Sequence, residues 1–156
     1  MQNSHLIADN GGMPSITSAD STPVRLTARQ RQLRPARTCY DHLAGVLGVA
    51  VTEALVARRA LLMDEAGFRL GPAAGPAFGA LGVELAEQLE RRTSRPLLRC
   101  CLDWTEKRPH LAGRLGAAVA DAMLRAGWLV RSATDRSVTV TDLGRQRLAA
   151  TLGLDL

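Results

Sequence analysis

His42-Leu-Ala-Gly45 returns as His110-Leu-Ala-Gly113, 68 positions later (110 minus 42), and this self-similarity governs how the whole chain is read. The register holds downstream. Leu47 and Gly48 fall on Leu115 and Gly116, Ala50 and Val51 on Ala118 and Val119, Ala54 on Ala122, and Leu61 on Leu129. Upstream, Cys39-Tyr-Asp-His42 echoes Cys101-Leu-Asp-Trp104, with extra residues before the second histidine. The two stretches read as one duplicated unit, repeat 1 over residues 38–98 and repeat 2 over residues 99–156.

Within each copy the apolar positions recur at helical spacing: Leu43, Leu47, Val51, Ala54 and Leu55, then Leu111, Leu115, Val119, Ala122 and Met123. Two amphipathic helices are expected. Cys39 and His42 then sit three apart at a helix start, on one face, and Asp103-Trp-Thr-Glu106 has the spacing of a capping box. Gly127 follows the second helix as its cap. Trp128–Arg131 and Ser137–Thr141 read as two strands joined by a polar turn, and Thr141 or Asp142 can cap a last helix over Leu143–Thr151. The first copy repeats this order with Leu61–Leu70 as a ribbon, Gly71-Pro72 as a break and short helices on either side of Gly82. The fold class expected is mainly α with small β-hairpins (α+β). Helix, ribbon, helix is the second half of a winged helix-turn-helix, so the halves read as tandem duplicated winged-helix-like units.

With 46% hydrophobic and 22% charged residues, the chain can remove enough apolar surface from water to fold. Aromatic residues are only 3%, which argues against a stacking platform for single-stranded nucleic acid. The formal charge of +5 rests on arginine, since Lys107 is the sole lysine among 20 basic residues. Guanidinium suits phosphate, and a positive charge favours a nucleic-acid partner. Residues 1–37 read as a disordered tail and basic arm. Residues 1–22 are polar and aperiodic, and the stretch from Val24 carries Arg25, Arg29, Arg31, Arg34 and Arg37, with Pro35 opposing a long helix. No secretory signal and no bilayer-length apolar run are visible, so a cytoplasmic protein without a membrane partner is expected. Three cysteines in a reducing compartment speak against a disulfide framework.

Cys39, His42, Cys101 and His110 are candidate metal ligands, because thiolate and imidazole suit soft ions. Adjacent Cys100 and Cys101 could chelate a trivalent metalloid. The spacing is not that of a dedicated CxxC zinc site, and buried cysteine is common without any metal. Asp41 and Asp103 occupy matching places and could cap helices or pair with Arg37, Arg108 or the histidines. Trp104 and Trp128 could line a pocket between the halves or simply fill the core. Gly45-x-x-Gly48 lacks the Lys-Ser/Thr of a phosphate loop and suits close helix packing. No nucleophile-elbow or His-Glu-x-x-His sequence occurs, so no enzyme is expected.

Ala36-Arg-Thr-Cys-Tyr-Asp-His-Leu-Ala-Gly45 and Cys101-Leu-Asp-Trp-Thr-Glu-Lys-Arg-Pro-His-Leu-Ala-Gly113, together with the ribbon from Leu124 to Gly144, resemble the C-terminal region of ArsR-type winged-helix transcription regulators. The resemblance covers roughly residues 28–156. It implies a homodimeric repressor or sensor that leaves operator DNA on an effector signal. The helix-turn-helix reading head that such regulators carry ahead of this region is expected to be replaced here by the tail and arm. DNA would then be met through the arm and wing, by Arg25, Arg29, Arg31, Arg34, Arg131 and Arg136. No built-in cofactor is expected; a soft metal or metalloid ion is the candidate effector. Alternative readings are a thiol-based sensor module and an interaction protein that forms mixed dimers with a full-length regulator.

Overall fold

A computed structural model describes residues 25–156, and the reading of residues 1–22 as a disordered tail lies outside them. Helix α1 (Ala28–Leu33) opens the described chain. Thr27 and Gln30 close its first turn as a capping box, each side chain accepting the other's backbone N–H, so part of the expected arm is helical. Repeat 1 then runs through the hairpin β1 (Arg37–Cys39) and β2 (His42–Ala44), helix α2 (Gly45–Ala57), the hairpin β3 (Leu61–Asp64) and β4 (Gly67–Leu70), and the short helices α3 (Ala74–Ala80) and α4 (Leu85–Glu90). Repeat 2 has β5 (Arg99–Leu102) and β6 (Pro109–Ala112), helix α5 (Gly113–Arg125), β7 (Leu129–Arg131) and β8 (Val138–Val140), and helix α6 (Asp142–Leu152). All four hairpins are antiparallel two-stranded sheets. The α+β class, the second hairpin of each copy and the α6 cap at Thr141 agree with the sequence reading.

Two expectations are corrected. Neither Cys39-Tyr-Asp-His42 nor Cys101–His110 begins a helix: each is a hairpin, with Cys39 opposite His42 and Cys101 opposite His110. The first turns at Tyr40, in the left-handed region (φ 58), and the second needs a six-residue loop. Asp103 does accept the Glu106 N–H at 3.0 Å, half of the expected box, but over a single turn instead of a helix. The other correction concerns α2, which is not amphipathic. Leu47, Val49, Val51, Ala54 and Leu55 are buried around most of its circumference, whereas α5 keeps Arg114, Asp121 and Arg125 on an outer face.

The copies cross over each other. Helix α2 lies on β6 of repeat 2 and α5 on β2 of repeat 1, with β2 against β6 between them. Thr52 on α2 fixes this crossing by accepting the Leu111 N–H at 2.8 Å. The strand-to-helix corner is made the same way twice. Gly45 (φ +75) and Gly113 (φ +81) turn the chain in a conformation that L side chains rarely adopt, which glycine enters at little cost. The next amides, Val46 and Leu47, donate to the carbonyls of Arg34 and Pro35, and Arg114 and Leu115 donate likewise to Pro96 and Leu97. These bonds satisfy helix-start donors that would otherwise be unpaired. The corner also seats α5 on the hairpin, since a Cβ at Gly116 would lie 3.3 Å from His42 Cβ.

A Cβ at Gly45 would stand 2.4 Å from the Arg34 carbonyl oxygen, while one at Gly75 in α3 would meet nothing within 4 Å. Gly45→Ala should therefore destabilise by roughly 1–3 kcal/mol, and Gly75→Ala should stabilise by about 0.5–1 kcal/mol, both read from urea unfolding midpoints. Equal effects at the two positions would contradict the assigned corner.

Candidate metal centre

The crossing of β2 and β6 brings the two copies of the repeated histidine face to face. His42 Nε2 and His110 Nε2 are 3.1 Å apart, with ring centroids at 5.1 Å and planes at 30°. Each histidine has its own cysteine across the hairpin, and side chains of directly opposed residues lie on one face of the sheet. One donor atom from each of Cys39, His42, Cys101 and His110 therefore falls within 4.8 Å of all the others. The histidines are buried and the cysteines partly so. Cys100, one residue away on β5, is exposed and paired with Leu111. Alternation along a strand sends neighbours to opposite faces, so the adjacent pair Cys100 and Cys101 does not form a chelate. The close thiol pair is Cys39 and Cys101, one from each repeat.

Burial pushes the Cys101 thiol up to about 11, with Cys39 beside it adding to the shift. Burial likewise lowers both imidazoles, His110 to about 4 with help from the neighbouring His42. Cys101 and both imidazoles are thus held neutral, and a soft cation would displace the Cys101 proton and take each imidazole through a ring nitrogen lone pair. The size fits as well. A tetrahedral ion with bonds of about 2.0–2.1 Å to nitrogen holds its two nitrogens about 3.3 Å apart, close to the separation of the two Nε2 atoms.

Behind each ring stands the matching aspartate. Asp41 Oδ1 is 3.6 Å from His42 Nδ1 and Asp103 Oδ2 is 3.8 Å from His110 Nδ1. Their settings differ. Asp41 is at the surface, held by Arg95 at 2.5 and 2.8 Å. Asp103 is fully buried, where both its oxygens accept Arg37 Nη2 at 2.8 Å and Oδ2 also accepts the Gly45 N–H at 2.7 Å. Burial opposes ionisation of Asp103, but the Gly45 and Glu106 amides, Thr105 and Arg37 outweigh it and hold the carboxyl well below the usual range. Arg37 further donates to the Leu33 carbonyl at 3.1 Å and lies 4.4 Å from the Trp104 ring centre. Asp103 thus pairs with Arg37, while Arg108 reaches Glu53. Trp104 lies against Arg37, and Trp128 packs beside the core near Gly82.

Arg37, counted in the basic arm by its sequence neighbours, is 1% exposed. The six arginines read as DNA contacts are on the surface, and the arm and the β7–β8 hairpin prove to be neighbours. Thr38 N–H donates to the Arg136 carbonyl at 2.9 Å, Val138 N–H to Ala36 at 3.0 Å, and Gln32 to Asp135 at 2.9 Å. Arg25, Arg29, Arg31, Arg131 and Arg136 are exposed. Arg34 is occupied by Glu106 at 2.8 Å. Arg37 and Arg99 hold the same hairpin register, opposite Ala44 and Ala112, but Arg99 is exposed, so the repeat carries no signal for the burial of Arg37; the one sequence pointer to it is its offered pairing with Asp103.

The chain is similar to the uncharacterized HTH-type transcriptional regulator YdfF of Bacillus subtilis (strain 168), with 38% identity over 116 residues, which make up 74% of this chain and 50% of the relative. The chain thus spans about half the length of the curated relative it matches, and that relative is named as a regulator and not as an enzyme. No family model matches the chain, and no solved structure does. Among the described residues no helix is long and apolar enough to cross a membrane.

The buried imidazoles make stability depend on pH. An unfolded histidine takes up its proton near pH 6.5, while folded His110 does so only near 4. Between these values the unfolded chain binds more protons, so stability should fall as pH drops through that window, be level near neutral pH, and fall again as pH rises past 9, where folded Cys101 keeps a proton that the unfolded chain has lost. Urea midpoints across this range check it. His110→Gln should flatten the acid-side fall, and an unchanged slope would contradict the buried neutral ring.

Proposed function

We propose that this chain is the effector-binding part of an ArsR-like HTH-type transcriptional regulator, and that its effector is a soft metal ion held by Cys39, His42, Cys101 and His110. The observation that carries the reading is the convergence of four donor atoms within 4.8 Å, one thiol and one imidazole from each repeat. Neither repeat holds enough ligands alone, so an ion would fasten the two copies together. Two sulfur and two nitrogen donors favour zinc or cadmium over hard cations. The similarity to YdfF supports the regulatory role.

In this reading the chain works in a homodimer, in the cytoplasm, and is not an enzyme. DNA is met on the surface where arm and wing adjoin, through Arg25, Arg29, Arg31, Arg131 and Arg136. Arg34 joins them only by leaving Glu106. Contacts of this kind go to phosphate and position the protein, whereas base edges are read elsewhere.

Cadmium titration of the reduced chain tests the site through the thiolate-to-metal absorbance that appears as the ion binds. One ion per chain is expected. Cys39→Ser and Cys101→Ser should each abolish the band or weaken binding at least about tenfold, and Cys100→Ser should leave it unchanged. A band that depends on Cys100, or none at all, would overturn the reading.

A further inference from the structure

We propose that Asp103 is the positioning residue through which the metal centre acts on the rest of the fold. An ion on His110 Nε2 moves that ring's proton to Nδ1, and the new donor engages Asp103, whose other partners lead to the start of α2 and the end of α1. The inference rests on the metal reading given above and assigns its means of regulation.

The metal-free hydrogen bonds fix the starting state. With two Nε2 atoms 3.1 Å apart, one ring must donate and the other accept. His110 Nδ1 is buried with no partner among the described residues, a setting in which an unmet N–H is rarer than an unmet lone pair, so the starting state has His110 donating from Nε2 and His42 accepting. His110 Nδ1 stands 3.8 Å from Asp103 Oδ2, as two unprotonated acceptors would.

A metal at Nε2 changes this. The proton leaves Nε2, one from solvent takes its place on Nδ1, and the imidazole stays neutral while its donor and acceptor sides exchange. The nitrogen facing Asp103 becomes an N–H, which prefers its acceptor at about 2.9 Å. Asp103 has room for it on the correct oxygen. Oδ1 already accepts from Arg37, from the Thr105 backbone and hydroxyl, and from Glu106. Oδ2 accepts only from Arg37 and Gly45.

What Asp103 holds determines where the signal goes. Gly45 is the first residue of α2, and Arg37 connects the carboxylate to the carbonyl of Leu33, the last residue of α1. The same turn sends Glu106 to Arg34, directly after α1. Helix α1 is the element on the N-terminal side of both repeats. In repeat 1 the equivalent Asp41 is partly exposed and held by Arg95, so only repeat 2 has a path into the interior.

The test uses the full chain, labelled with nitrogen-15, with zinc alone as the probe. Long-range nitrogen–proton spectra report the tautomer of His110, and amide exchange reports Gly45 and residues 28–34. The expected result is a proton on His110 Nε2 without zinc and on Nδ1 with it, with exchange at Gly45 slowed about tenfold and a parallel slowing in α1. Asp103→Asn should weaken zinc binding about 10–100-fold and uncouple α1 from it. If that variant does not fold, the wild-type tautomer and exchange data decide alone. Zinc binding with the His110 proton still on Nε2, or with exchange at Gly45 and α1 unmoved, would overturn the relay and leave the metal site standing. Failure to bind zinc would overturn both.

Discussion

The buried pair of Arg37 and Asp103 is the contact on which the arrangement depends. A carboxylate and a guanidinium removed from water are costly unless nearly every donor and acceptor is used. Here they are: the carboxylate collects Arg37, the Gly45 amide and the turn from Thr105 to Glu106, while the guanidinium also reaches Leu33 and Thr105. One ion pair thereby joins α1, the corner before α2 and the loop between β5 and β6. Asp103, at their centre, stands 3.8 Å from the histidine that repeat 2 presents to repeat 1.

Duplication explains why a site arises at this place. A hairpin with one cysteine opposite one histidine is a pair of ligands too few to hold a metal firmly. Copying the hairpin and crossing the copies makes four candidate donor atoms converge, with both rings buried. The departures from symmetry matter equally. The second hairpin has a six-residue loop where the first has a two-residue turn, and the added length folds Asp103 inward while Asp41 remains at the surface. The same ligand set therefore has two different surroundings, one open to solvent and one connected to the core.

Much of this was legible in the sequence. The repeat of His-Leu-Ala-Gly gave the duplication, β-branched residues and a polar turn gave the ribbon after Gly127, the repeat order placed its counterpart after Ala60, and the matching cysteines and histidines are the donor atoms that converge. The hairpins in front of the long helices were not legible. Their strands span only three or four residues, too few for alternation to register, and the apolar period of the helix continues into Leu43 and Leu111. That misreading also placed Cys39 and His42 on a helix face when they are partners across a sheet. The crossing of the copies was equally hidden, because helix period says which face is apolar and not which copy covers it. Arg37 reads both as a cation of the arm and as one of several candidate partners for the repeated aspartates, and only the fold selects Asp103, 66 residues away, for it.

X-ray absorption at the zinc edge of the loaded chain addresses the central claim most directly, because it counts the atoms around the ion. Two repeats sharing one ion require two sulfurs at about 2.3 Å and two imidazole nitrogens at about 2.0–2.1 Å. A shell containing one sulfur, or made of nitrogen and oxygen alone, would contradict a centre built jointly by Cys39, His42, Cys101 and His110.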